Sequence, residues 1–136
     1  MNDIYAKLID KIKNRKATIG IFGLGYVGLS LAITATKAGY KVIGIDINYE
    51  RIKNLRDGKS YISDIKDSTI LHAVNKKLLI PTSNFDYLQN IDVICICVPT
   101  PVNVYNEPAI SDIINSTKNI AKYSKIPNFS RKPKHF

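Results

Sequence analysis

A chain of 136 residues, 45% apolar and 23% charged, has the length and make-up of one ordinary globular domain with a single core. No run of about 18 apolar residues occurs, so no segment is expected to span a bilayer, and residues 1–17 lack the apolar stretch and small-residue cleavage site of a secretion signal, which makes the cytoplasm the expected location. The net charge of +9 raises the question of a nucleic-acid partner, but residues 1–17 carry +3, residues 118–136 carry +6 and the stretch between is neutral, so none is expected.

Taken in order, residues 2–13 place Ile4, Leu8, Ile9 and Ile12 at helical spacing, with Lys on the other side and Asn2 or Asp3 available as a cap. This predicts a short amphipathic helix, residues 1–16, that docks on the domain after it. Residues 18–22 are apolar at nearly every position, as in a parallel strand covered on both faces. A glycine turn leads into a second helix, residues 26–38, which Gly39 can end, and residues 41–46 form the next strand. Asn48 is placed to cap a helix over 49–56, with Ile52 and Leu55 inward and Gly58 as its stop. After a polar loop, Ile70, Leu71 and Val74 are expected to share one face of a short helix.

Residues 78–81 read as a third strand, 85–89 as a turn of helix, and 91–98 as a fourth strand, the most apolar segment of the chain. Within it Cys95 and Cys97 point to the same face and have no metal-ligand spacing, so they are expected to be core thiols. Pro99-Thr100-Pro101 stops that strand. A last helix is predicted where Ile110, Ile113, Ile114, Thr117, Ile120 and Ala121 recur at helical spacing. Residues 124–136 have no periodicity and read as a disordered basic tail. Alternating strands and helices of these lengths define an α/β, doubly wound parallel sheet of about four strands in the order 3-2-1-4, spanning residues 17–123.

The chemistry centres on Gly23-Leu24-Gly25-Tyr26-Val27-Gly28, which closes one apolar run and opens another. Between a strand and a helix, G-x-G-x-x-G is a dinucleotide fingerprint of the Rossmann type. Gly23 makes the tight turn, Gly25 leaves room for a pyrophosphate, and Gly28 lets the helix pack closely, while the N–H groups of Tyr26 and Val27 face the phosphates. Asp46, eighteen residues beyond Gly28, is placed to accept from the adenosine ribose hydroxyls and to repel a 2′-phosphate, so NAD is favoured over NADP. Arg51, one helical turn on, is expected to pair with Asp46. No catalytic residue stands out: His72 lies on a surface-looking helix, His135 in the tail, and the cysteines inside a strand. No metal site is expected either.

Ile19 to Ala32, Gly44-Ile45-Asp46-Ile47-Asn48, Gly58-Lys59-Ser60-Tyr61-Ile62 and Ile96-Cys97-Val98-Pro99-Thr100-Pro101 resemble the NAD-binding domain of the UDP-glucose/GDP-mannose dehydrogenase family. The Ser-Tyr-Ile loop and Asn106-Glu107-Pro108 resemble its bacterial UDP-N-acetylhexosamine branch. The resemblance runs from about Leu8 to Tyr123. It implies phosphate contacts from Tyr26 and Val27, ribose contacts from Asp46 and Arg51, and a wall of the cofactor site from Val98, Pro99 and Thr100.

It also implies oxidation of a nucleotide sugar at C6, from alcohol to carboxylate, with NAD, for polysaccharide synthesis. In the family the substrate domain, the dimerisation region and the catalytic cysteine come later in the chain. Asn84 and Ala109 stand where Asp is usual, departures expected to be tolerated, whereas residues 124–136 lack the family's next strand, so the chain is expected to be an inactive fragment that forms homo-oligomers only if those parts are supplied. The alternatives are a non-catalytic NAD-binding regulatory module or a gene remnant without function. A fourth strand left at the sheet edge would favour aggregation.

Overall fold

The computed structural model describes residues 2–99 and 111–123. Four parallel strands, β1 (Thr18–Phe22), β2 (Lys41–Ile45), β3 (Leu79–Thr82) and β4 (Val93–Ile96), form one sheet in the order β3-β2-β1-β4. The expected topology is therefore the observed one. β1 lies at the centre, with Ile21 opposite Gly44 on one side and Cys95 on the other. β4 is shorter than the predicted 91–98 because only Val93–Ile96 pair with β1, and Cys97 N–H then continues the contact to the Phe22 carbonyl at 2.7 Å.

Alternation along the strands sends side chains to two covered faces. One face carries Ile21, Val42 and Leu79 against α2 (Tyr26–Lys37), α3 (Tyr49–Arg56) and α4 (Asp67–Asn75), which contribute Leu29, Ile33, Ile52, Leu55 and Ile70. Cys95 and Cys97 pack on this same face as free thiols, as their spacing of two requires. The other face carries Phe22, Ile43 and Ile45 against a 3-10 helix (Phe85–Asn90) and α5 (Ser111–Tyr123), through Leu88 and Ile120.

Helix ends obey local chemistry. α2 closes in a Schellman motif, with Gly39 N–H to the Thr36 carbonyl, Tyr40 N–H to the Ala35 carbonyl, and Gly39 at φ +96°. Asn48 caps α3 by accepting from Arg51 N–H. Asn84 caps the 3-10 helix by accepting from Asp86 N–H at 2.9 Å, so an amide oxygen serves there as a carboxylate would.

Three details depart from the expectations of the sequence. In α4 Ile70 is buried and Val74 packs against the same cluster, but Leu71 is exposed, because the inward stripe follows positions 70, 73 and 74 and turns position 71 outward. In α5 Ile120 is buried whereas Ile114 is 43% exposed. The two lie six residues apart, about 240° around a helix, so seating Ile120 in the core turns Ile114 outward. The amino-terminal helix α1 (Asn2–Lys13) docks by its second half only, where Lys11 pairs with Asp92 at 3.1 Å and the Tyr40 hydroxyl donates to the Ile12 carbonyl at 2.6 Å; Ile4 and Tyr5 face solvent. The predicted tail, 124–136, lies outside the described residues.

Candidate functional site: the glycine turn and its cavity

The carboxyl ends of β1, β2 and β4 open into a cavity of about 310 Å³, lined among others by Gly23, Gly25, Asp46, Arg51, Val98 and Pro99. Six of the predicted cofactor residues thus meet at one place. The side chains of Tyr26 and Val27 are exposed, and their backbone opens α2 directly beside it. Thr100 lies outside the described residues.

The turn is held by close backbone contact. Gly23 sits at φ +98°, a conformation that favours glycine, and a Cβ there would lie 2.7 Å from the Cys97 carbonyl oxygen. A Cβ on Gly28 would lie 1.8 Å from the Gly23 carbonyl oxygen, so the first turn of the helix rests directly on the end of the strand. Gly25 differs: the nearest heavy atom to a Cβ there is Arg51 Nη1, at 3.8 Å. The space in front of Gly25 is open, and no side chain caps α2. A helix leaves the N–H groups of its first turn without intrahelical partners, and these groups make an anion seat.

Asp46 ends β2 and is 6% exposed, so it is not a water-facing acid at a strand end. Its Oδ2 accepts from Leu24 N–H at 2.8 Å and from Arg51 Nη1 at 3.2 Å, and its Oδ1 accepts from Asn48 N–H at 2.8 Å. The expected Asp46–Arg51 pair is present. A carboxylate offers about four acceptor positions, and three are filled, which leaves room on Oδ1 for a ribose hydroxyl.

Several cavity residues escape a reading of the sequence. Phe22, Ile47, Asn48 and Cys97 belong with the strand ends, but Asn115, Ser116 and Asn119 come from α5, at polar positions between the apolar ones that predict the helix. No signal within the sequence marks them, since their placement depends on how α5 is rotated. Burial pushes the Cys97 thiol up, and Cys95 beside it adds to the shift, so Cys97 is not set up as a thiolate nucleophile. His72 is exposed on α4, away from the cavity. Among the described residues there is no cluster of metal-ligating side chains.

A parallel sheet of this order, a glycine turn with an open anion seat and a buried acid at the end of the second strand define a dinucleotide-binding domain of the Rossmann class. The sequence profile of the UDP-glucose/GDP-mannose dehydrogenase family, NAD binding domain, matches residues 17–129. The chain belongs to this family, and the domain it contains is its NAD-binding domain.

Among relatives, the chain is 37% identical over 123 residues to UDP-N-acetyl-D-mannosamine dehydrogenase of Methanococcus aeolicus, covering 86% of the chain and 27% of that protein. It is 32% identical to UDP-N-acetyl-D-glucosamine 6-dehydrogenase of Salmonella typhi, covering 82% and 24%. The solved UDP-D-ManNAc dehydrogenase of Pyrococcus horikoshii superposes with a TM-score of 0.72 at 31% identity, covering 78% of the chain and 25% of that structure. The chain thus spans about a quarter of the length of these relatives.

Proposed function

We propose that this chain binds NAD in the cavity at the glycine turn and forms the cofactor-holding part of a nucleotide-sugar 6-dehydrogenase acting on a UDP-N-acetylhexosamine. The observation that carries the proposal is the open space at Gly25, set between the start of α2 and the Asp46–Arg51 pair. Gly23, Gly25 and Gly28 shape the seat, the Tyr26 and Val27 backbone meets the diphosphate, and Asp46 with Arg51 meets the adenosine ribose. Val98, Pro99 and Thr100 supply the wall toward the nicotinamide. The preference for UDP-N-acetylhexosamines over other nucleotide sugars rests on the names of the relatives.

Bound NAD would accept a hydride from the C6 carbon of the sugar. Of the described residues lining the cavity, the titratable ones are Asp46, Arg51 and Cys97. Asp46 is engaged by three donors, the Arg51 guanidinium has donors only, and the Cys97 thiol is shifted up. None of them is set up to take the alcohol proton, so the described residues hold the cofactor without supplying the base. We therefore read the chain as binding NAD without turning over sugar by itself, and the same observation favours the second reading, a non-catalytic NAD-binding module.

The free thiols Cys95 and Cys97 suit a reducing compartment, and no helix among the described residues is long and apolar enough to cross a membrane; a cytoplasmic location is part of the proposal.

Calorimetric titration of the purified chain with NAD and NADP tests the binding reading. One-to-one binding with NAD tighter than NADP is expected, and tighter NADP binding would reverse the cofactor assignment. Adding UDP-N-acetylglucosamine or UDP-N-acetylmannosamine with NAD and recording absorbance at the NADH band tests the rest: no NADH should form, and turnover would overturn the claim that the base is missing.

A further inference from the structure

The segment between α3 and α4 carries Tyr61, a half-buried residue that the proposed cofactor contacts do not use. Its ring packs against the larger core cluster, its hydroxyl donates to the Leu24 carbonyl in the glycine turn, and the Arg51 guanidinium lies over its face, 5.8 Å from the ring centroid. We propose, building on the NAD reading of the cavity, that Tyr61 is the positioning residue of this site, aiming the phosphate-facing backbone of the turn and restraining Arg51 so that NAD is preferred to NADP.

Peptide geometry sets the aim of the turn. In a planar trans peptide the C=O of one residue and the N–H of the next point in opposite directions. Tyr61 draws the Leu24 carbonyl to itself, and the Gly25 N–H is thereby turned away from Tyr61. The Leu24 N–H is fixed as well, by Asp46 Oδ2 at 2.8 Å. Both peptide groups flanking Leu24 are therefore held, and the buried Leu24 side chain anchors the residue between them. The segment bearing Tyr61 is itself tied down, because Tyr26 in the turn donates its hydroxyl to Asp64 at 2.8 Å and Ser60 N–H donates to Asp67 at 2.8 Å.

The guanidinium is restrained from two sides. Arg51 is shared between the Asp46 carboxylate, at 3.2 Å, and the Tyr61 ring. Turning it toward a 2′-phosphate would weaken both contacts. The carboxylate alone opposes that move, and the aromatic face adds a second restraint. Burial pushes the Tyr61 hydroxyl up to about 12, so it remains a hydrogen-bond donor at any pH where the cofactor would be used.

Two substitutions in the full 136-residue chain separate these roles. Tyr61→Phe removes the hydroxyl and keeps the ring; Tyr61→Leu removes both. Amide hydrogen exchange without cofactor reads the turn directly. In Tyr61→Phe the Leu24 amide should exchange about fivefold faster or more, with the Ile43 amide unchanged, and NAD should bind about fivefold more weakly with the NAD:NADP ratio kept. In Tyr61→Leu the ratio should fall by a further factor of about three. Arg51→Lys, which keeps the charge and loses the flat stacking surface, should lower the ratio too, and it serves if Tyr61→Leu does not fold.

A merely structural tyrosine would lower the melting temperature and weaken both cofactors equally in Tyr61→Leu as well as in Tyr61→Phe. Unchanged exchange at Leu24 in Tyr61→Phe, or one NAD:NADP ratio across all the variants, overturns the proposal. If the wild-type chain bound neither cofactor, the NAD reading would fail, and exchange at the turn would still decide whether Tyr61 positions it.

Discussion

Gly25 and Gly28 stand three residues apart, and a methyl group at each has opposite effects. At Gly28 the added carbon would lie 1.8 Å from a backbone oxygen that cannot give way without opening the turn. Gly28→Ala should cost about 2–3 kcal/mol of stability, seen as a lower urea midpoint. At Gly25 the added carbon meets nothing closer than 3.8 Å. Gly25→Ala should unfold like the wild type yet lose at least about tenfold in NAD affinity, because the methyl takes the place of the diphosphate. Equal stability loss in both variants would count against this division of roles.

Tyr61 makes a separate prediction in pH. Its hydroxyl is raised from 10.0 to about 12, chiefly by burial, so the folded protein holds that proton more tightly than the unfolded chain does. The stability linked to it is complete below pH 10 and is lost as pH rises from 10 toward 12. Between about pH 9 and pH 11 the wild-type urea midpoint should fall more than that of Tyr61→Phe.

At the scale of elements, what was legible in the sequence was local. The start of α3 could be read because Asn48 carries its own cap, and the hydrogen bond from Arg51 N–H to Asn48 Oδ1 is present at 3.3 Å. Asn48→Ala should destabilise the protein by about 1 kcal/mol, measurable by denaturant titration. The turn from β1 to α2 was legible because glycines at 23, 25 and 28 answer to backbone geometry, and the order of strands came from alternation with helices. What stayed hidden depends on contacts between distant parts of the chain. Tyr61 meets Leu24 across 37 positions, and nothing beside it in the sequence announces that. The face of α5 was misread for a similar reason: an apolar spacing through Ile114 competes with one through Ile120, and the Phe22 cluster decides between them. Choosing Ile120 carries Asn115 and Asn119 to the cavity.

At the scale of the whole molecule, the described sheet has β4 at one margin, paired on one side to β1, with Ile96 at 39% exposure. An exposed apolar margin invites pairing with another chain. The isolated protein should self-associate as its concentration rises, and Ile96→Lys should reduce this in sedimentation velocity without changing the circular dichroism spectrum; a monomer at all concentrations would refute the expectation. Beside the cavity, Ile47 is 80% exposed, directly after the buried Asp46. An aliphatic side chain in that position orders water, which a base bound against it would displace. The enthalpy of NAD binding should therefore become more negative with rising temperature, and Ile47→Asn should flatten that slope. The sign of the heat-capacity change would then report whether the aromatic half of the cofactor is seated, a question that affinity alone does not answer.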